Sequence, residues 1–247
     1  MRVSLTLLTD IPKFGFGTFG DTHLYHKIAY NLSTGNGYSG IDDGQAYGNS
    51  SQDKKTIYSP VITRGPVYPI FLYYMYNLSG NPNKISSLLE WGLILRNVRI
   101  VQCILDSLLA VLIFFFVRII YPYHLAPAIF SSMLYAFSFY HIYYTRMLLT
   151  ECITSVLVFL SLFFILLSTK YKKAFLWCIS GICLGFISLC RPEYILFPFF
   201  IAGFIFFKFR KQRFKFILLL FLGLVLSITP WSVRNLIVFH EMNPLAV

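Results

Sequence analysis

Charged residues are scarce in this sequence, and acidic residues are the scarcest of them. Asp, Glu, Lys and Arg make up 13% of the 247 residues, with 10 acids against 21 bases, whereas about a quarter is usual for soluble domains. Hydrophobic residues make up 57%, and the mean hydropathy is +0.66. This balance excludes an ordinary soluble domain and predicts a membrane protein.

Other features are missing altogether. The long polar N-terminal region has no cysteine, which argues against a disulfide framework or a cysteine metal site there. No basic stripe interleaved with base-stacking aromatics occurs in a polar segment, so nucleic acid is not an expected partner. The five cysteines are interpreted as small buried hydrophobes, because all lie in or beside apolar runs: Cys103, Cys152, Cys178, Cys183 and Cys190.

What is present is a series of apolar runs from about Arg96 onward, separated by short polar breaks. This pattern predicts an all-α fold, a polytopic transmembrane helical bundle. We expect residues 1–95 to form a first extracytoplasmic or luminal loop carrying amphipathic surface helices, and residues 96–247 to form a bundle of about six helices, incomplete at both ends. The expected spans are 97–119, 125–145, 152–169, 174–190, 193–207 and 214–231.

Two stretches of the first region have helical periodicity. In GDTHLYHKIAYNL the apolar residues Leu24, Tyr25, Ile28, Ala29 and Leu32 share one face, and Lys27 and Asn31 fall on another. This predicts a helix at the membrane surface that ends at Gly35–Gly37. The stretch from Tyr38 to Pro60 is predicted to be loop, and Arg64–Gly80 a second interfacial helix.

Basic clusters predict the orientation. Lysines and arginines follow the third and fifth spans, which places those breaks in the cytoplasm under the positive-inside rule. The other breaks then share the non-cytoplasmic face, and they carry Asp21, Arg64, Glu151, Arg191 and Arg234. Carboxylates act as general bases or metal ligands, and arginines bind phosphate. A face with both groups suits transfer of a group from a lipid phosphate.

Each of these residues also has a structural interpretation. Asp21 fits a helix N-cap, Glu151 a first-turn acid favoured by the helix dipole, and the arginines snorkelling anchors at span ends. Asp106 lies inside an apolar run, so it is expected to pair within the bundle. His23 and His26 give a weak metal signal, since no third ligand accompanies them.

Five segments, in this order and at these places relative to the spans, resemble the GT-C glycosyltransferases of the dolichyl-phosphate-mannose protein mannosyltransferase and lipid A aminoarabinose transferase type. None of the five is specific alone. They are GDTHLYHKIAYNLSTGNGYS, TRGPVYPIFLYYMYNLSG, YYTRMLLTE, GFISLCRPEYILFPFF and ITPWSVRNLIVFHEMNPL.

The resemblance implies a multi-pass enzyme that moves a sugar, with inversion, from a polyprenyl-phosphate donor to a protein, lipid or glycan acceptor on the non-cytoplasmic face. The membrane would be the plasma membrane of a prokaryote or the endoplasmic reticulum of a eukaryote. By the same resemblance, Asp21 matches the first-loop general base, and Glu151 matches the acid of the LLTE stretch. Arg64, Arg191 and Arg234 are expected to bind the donor phosphate, because they are positively charged and lie on the predicted non-cytoplasmic face.

The chain also departs from the family pattern. Thr22 stands where many relatives carry a second acid, so a divalent cation, Mg²⁺ or Mn²⁺, is left open as a cofactor. The resemblance also predicts a helix before the first loop and later spans that are not in this sequence, so we expect the chain to be incomplete, and an inactive fragment is one alternative. A transporter or flippase of lipid-linked saccharide is the other, although charges at span ends and the lack of a repeat favour an enzyme.

Overall fold

The computed structural model describes residues 21–41, 58–80, 88–240 and 245, and within these ranges the chain is mainly helical. The predicted all-α membrane fold is therefore confirmed. The loop residues 42–57 lie outside the described ranges. The helices are α1 (Asp21–Ser33), α2 (Val67–Ser79), α3 (Leu88–Ile120), α4 (Ala126–Ala136), α5 (Phe139–Tyr144), α6 (Glu151–Tyr171), α7 (Phe175–Cys190), α8 (Phe197–Lys208) and α9 (Arg213–Phe239), with a 3₁₀ helix at Pro192–Leu196.

Three of the described helices are long and apolar enough to cross a membrane: Trp91–Ile120 within α3, α6 and α9. The predicted span 125–145 is wrong as a single helix, because Ser138 adopts an extended backbone and separates α4 from α5. The predicted span 193–207 likewise divides into the 3₁₀ helix and α8. Helix α3 starts before residue 96, so the predicted domain boundary falls inside a helix.

The two helices predicted for the first region are present and pack on the first half of α3. Tyr25 and Ala29 of α1 join Tyr68 and Leu72 of α2 in a buried cluster with Val98 of α3. The predicted apolar face of α1 needs one correction, because Leu24 is exposed whereas Asn31 is buried. Asn31 is satisfied by donating to the backbone oxygen of Ser39 at 2.8 Å, and this bond compensates its burial.

A small antiparallel sheet follows α1. Strand β1 (Ser39–Ile41) pairs with β2 (Tyr58–Pro60), with Gly40 opposite Ser59. The prediction of loop throughout Tyr38–Pro60 is thus wrong at its two ends. The backbone groups of these ends are satisfied by pairing with each other, which brings the segment that leads into Arg64 next to Tyr38.

Helices α7 and α9 pack closely through small residues. A Cβ on Gly181 would lie 2.0 Å from the backbone oxygen of Leu220, and one on Gly185 would lie 1.7 Å from the Ser227 hydroxyl. This is the small-xxx-small packing of membrane helices, in which backbones approach directly because lipid provides no hydrophobic drive between helices. This packing fixes the position of α7 in the bundle, and therefore the position of Arg191, which directly follows α7.

Asp106 is buried in α3, at 1% exposure, and it has the partners expected of an intramembrane carboxylate. The Tyr135 hydroxyl of α4 donates to its Oδ1 at 2.5 Å, and Nδ1 of His141 lies 3.7 Å from the same oxygen. The predicted pairing within the bundle is confirmed. It ties the interrupted α4 and α5 to α3.

Candidate active site

A polar cavity of about 230 Å³ lies where α1, the segment before α2 and the end of α7 meet. Three of the five predicted site residues line it: Asp21, Arg64 and Arg191. Glu193 lines it as well, so the cavity contains carboxylates and guanidinium groups together. The structure thus brings together residues that lie far apart in the sequence.

Asp21 and Arg64 form an ion pair across this cavity. Nη2 of Arg64 donates to Oδ1 of Asp21 at 2.6 Å, and the Asp21 side chain is 53% exposed while that of Arg64 is 32% exposed. Asp21 is the first residue of α1, so its carboxylate also interacts favourably with the positive end of the helix dipole. Because the pair is open to solvent, an incoming anion can compete with Asp21 for Arg64.

Arg191 is held by three neighbours. Its Nη2 donates to Oε1 of Glu151, its Nε donates to Thr150 Oγ1 at 3.0 Å, and its Nη1 lies 3.6 Å from Oε1 of Glu193. Burial lowers the pKa of the Arg191 guanidinium, but the carboxylates of Glu151 and Glu193 outweigh burial and leave that pKa raised. Arg191 is therefore a permanent, oriented cation at the cavity wall.

Glu151 occupies a different place from Asp21. It starts α6, lies behind Arg191 and is only 18% exposed, and it is not among the residues that line the cavity. Its contact with the site runs through the Arg191 guanidinium. The geometry therefore suits Glu151 to positioning Arg191.

Gly65 allows the Arg64 segment to touch the end of α7. A Cβ at this position would lie 1.6 Å from the backbone oxygen of Leu189, a distance that no side chain can occupy. Arg64 and Arg191 reach the same cavity because these two backbones are in direct contact. The sequence pattern Arg-Gly-Pro gave no sign of this contact beyond the presence of the glycine.

The structure places Arg234 outside the residues that line the cavity, and the predicted polar break after the last span, at Arg234–Asn235, is wrong because α9 continues to Phe239. Nη1 of Arg234 donates to the backbone oxygen of Val61 at 3.0 Å, and Nη2 donates to that of Tyr38 at 3.1 Å. These carbonyl groups satisfy the guanidinium, so the helix passes through this residue without interruption. Arg234 ties the small sheet to the bundle.

Tyr38 completes this connection, and sequence reasoning missed it. Its ring lies in the T-shaped arrangement with Trp231, 4.9 Å between centroids, and the Arg234 guanidinium lies 5.3 Å from the ring centroid. Burial raises the pKa of the Tyr38 phenol, so the hydroxyl stays protonated and donates. No periodicity or motif marks Tyr38, because its partners come from two distant segments.

An apolar groove of about 390 Å³ adjoins the polar cavity. Its lining begins with Pro66 and Leu189, the residues next to Gly65 and Cys190 of the cavity, and continues with Val67, Ile70, Phe186, Leu226, Ser227, Pro230 and Trp231. A polar cavity beside an apolar groove suits a ligand with a charged head and a hydrocarbon tail.

The donor set for a metal ion is poor in the described part of the chain. Asp21 is paired with Arg64 and Glu151 with Arg191, and no group of three or more His, Cys, Asp or Glu side chains comes together there. His26 contacts aromatic rings and Tyr76. The described residues of this site therefore do not fit a bound divalent cation.

Comparison with known protein families gives one match. Residues 66–233 match the family described as dolichyl-phosphate-mannose-protein mannosyltransferase, and this range includes Glu151 and Arg191 but not Asp21, Arg64 or Arg234. No curated protein and no solved structure matches the chain. The family match covers more than half of the chain.

Proposed function

This chain belongs to the dolichyl-phosphate-mannose-protein mannosyltransferase family, and on that premise we propose a mechanism and a place for the reaction. Membership makes it an integral membrane glycosyltransferase whose donor is a sugar linked to polyprenyl phosphate. We propose that Asp21 is the general base of an inverting transfer in the polar cavity. The acceptor is a protein, lipid or glycan nucleophile.

One observation carries this proposal: Asp21, Arg64 and Arg191 line one cavity, and an apolar groove lined by Pro66 and Leu189 lies beside it. The donor has the matching parts, since its phosphate is anionic and its polyprenyl chain is hydrocarbon. Two guanidinium groups suit the phosphate, because each offers a planar pair of donors. The groove next to Pro66 and Leu189 suits the first isoprene units.

We propose the following displacement. The donor phosphate binds Arg64 and Arg191, and in doing so it competes with the Asp21 carboxylate for Arg64. Asp21 then accepts the proton of the acceptor hydroxyl or amine as that atom forms a bond to the anomeric carbon of the sugar. The bond from this carbon to the phosphate oxygen breaks, and polyprenyl phosphate leaves as an anion held by the arginines. A single displacement of this kind inverts the anomeric carbon.

The remaining two predicted residues, Glu151 and Arg234, position other residues of the site in this proposal and do not contact the donor. Glu151 fixes the orientation of Arg191, and Arg234 holds the segment that carries Arg64. Since Asp21, Glu151 and Glu193 each lie beside an arginine, no step is assigned to a divalent cation. We further propose that the cavity faces the non-cytoplasmic side, because the basic loops lie at the opposite ends of α6 and α9.

The test is Asp21→Asn in the full chain, reconstituted with a polyprenyl-phosphate-linked sugar. Asn keeps the size of the side chain and an oxygen for Arg64, but it cannot accept the proton. We expect kcat to fall about a hundredfold or more, with the KM for the donor within about threefold, as for loss of a general base.

The control is Glu193→Gln, which removes a more exposed carboxylate of the same cavity. Its kcat should stay within about threefold of the wild-type value. Equal transfer rates for Asp21→Asn and the wild-type protein would remove Asp21 from the mechanism. Movement of the donor across vesicles, with no sugar transferred, would favour a flippase instead.

A further inference from the structure

A second cavity, of about 360 Å³, lies at the other end of the bundle, between the end of α6 and the start of α9. Its lining combines three cations, hydroxyl and amide groups, and two aromatic rings: Lys172, Arg210, Lys211, Ser168, Thr169, Gln212, Phe209 and Phe216. Helix α6 begins at the proposed active site and ends here, so at 1.5 Å per residue about 30 Å separates the two cavities. The sugar transfer makes no use of this cavity.

The charge at this end is of one sign. The segments 118–125, 170–175 and 208–215 contain basic residues and no Asp or Glu. By contrast, each cavity-lining arginine of the proposed active site has a carboxylate beside it. The three segments therefore supply no anion of their own to balance this charge, and the basic end would attract one from outside the protein.

Several basic side chains around the cavity contact backbone oxygens or aromatic rings of the protein, whereas, among the described residues, the three cations that line it do not. Lys170 donates to the backbone oxygen of Ile119 at 3.3 Å, and Arg118 donates to that of Pro122 at 2.8 Å. Lys208 and Arg213 lie over phenylalanine rings, at 5.1 and 4.3 Å from the centroids. Within the part of the chain that the structure describes, the side chains of Lys172, Arg210 and Lys211 make no hydrogen bond, ion pair or ring contact.

We propose that this cavity binds the headgroup of an anionic phospholipid. Lys172, Arg210 and Lys211 surround the phosphate, and Gln212 and Thr169 are placed to bind its other polar groups. Phe209 and Phe216 supply apolar surface for the start of the acyl chains. A basic cavity at the end of membrane helices meets the leaflet in which anionic headgroups lie, and this position favours a lipid over a dissolved ion.

The test uses the purified full chain in neutral detergent and measures binding of phosphatidylglycerol, phosphatidylcholine and inorganic phosphate by native mass spectrometry and thermal shift. We expect phosphatidylglycerol to bind at least tenfold more tightly than the other two probes. Equal binding of phosphatidylglycerol and phosphatidylcholine overturns the proposal. Inorganic phosphate that binds as tightly as phosphatidylglycerol overturns it too, in favour of a site for the free anion.

Two double variants distinguish binding in this cavity from general electrostatic attraction by the basic end of the bundle. Lys172→Gln with Lys211→Gln removes two cations of the cavity, and Lys173→Gln with Lys215→Gln removes two from the same segments outside it. The first should weaken phosphatidylglycerol binding roughly thirtyfold, the loss expected for two lysines near an anionic surface, and the second by less than threefold. Equal losses in both contradict the proposal, and the wild-type comparison among the three probes stands even where a variant fails to fold.

Discussion

The hydroxyl of Tyr38 donates to the backbone oxygen of Arg64 at 2.8 Å and lies 3.1 Å from that of Gly65. Tyr38 is itself held by Arg234, 196 residues further along the chain. The position of the Arg64 guanidinium in the cavity therefore depends on a chain of contacts that begins in the last described helix. This relationship gives the first prediction.

Tyr38→Phe should weaken donor binding. The ring keeps its contact with Trp231, but the backbone at Arg64 and Gly65 loses its donor, at a cost of roughly 1 kcal/mol for a hydrogen bond. We expect the KM for the polyprenyl-phosphate donor to rise about fivefold, with kcat at saturation little changed. Tyr30→Phe is the control, because it removes a phenol hydroxyl from α1 and keeps the ring contact with Trp91. A normal KM in Tyr38→Phe would mean that Arg64 is positioned by other contacts.

Gly65→Ala should separate the Arg64 segment from α7. The added Cβ would lie 1.6 Å from the backbone oxygen of Leu189, and backbone cannot move aside as a flexible side chain does. We expect transfer activity to fall more than tenfold, with a loss of about 1–3 kcal/mol in the free energy of unfolding. Gly203→Ala is the matched control, because its Cβ meets nothing within 4 Å. Similar activities in the two variants would show that the contact does not matter to the site.

Glu151→Gln should loosen Arg191 without touching the reacting atoms. It removes a charge-assisted hydrogen bond, worth about 1.5–3 kcal/mol, so we expect the KM for the donor to rise roughly tenfold to a hundredfold. The kcat should fall less than in Asp21→Asn. Glu193→Gln, whose oxygen lies 3.6 Å from Arg191 and which is 62% exposed, should change the KM by less than threefold. A collapse of kcat with an unchanged KM would instead assign Glu151 a catalytic role.

Acid should destabilise the contact between α1 and α2 through His26. Burial, and next the charge of His23, lower the pKa of His26 from 6.5 to about 4. The unfolded chain thus binds more protons than the folded chain between these two values, so His26 contributes stability above pH 6.5 that is lost as pH falls toward 4. Thermal unfolding in detergent should show this decrease, and His26→Gln should reduce its slope. An unchanged slope in that variant would assign the acid sensitivity to other groups.

Much of the architecture was predictable because it follows from local composition. Apolar runs near Val98, Leu157 and Leu224 form long helices because in lipid every backbone group must be satisfied within its own segment. The same physics explains a failure. In 125–145 hydropathy predicted one span, but the extended backbone of Ser138 interrupts the helix just before the aromatic segment Phe139–Tyr144. Hydropathy measures partitioning and carries no information about the backbone at one residue.

The sequence by itself determined the membrane class, the two helices of the first region and the separation of basic loops from the mixed-charge face, because periodicity and charge are local properties. Only the tertiary structure decided what each polar residue does. Asp21 meets Arg64, Glu151 lies behind Arg191, and Arg234 holds Tyr38, and each pairing joins segments that helix packing brings together. A charged residue in an apolar sequence shows that a partner is needed in a low-dielectric environment. Which residue becomes that partner depends on how the backbones pack, here at Gly65, Gly181 and Gly185.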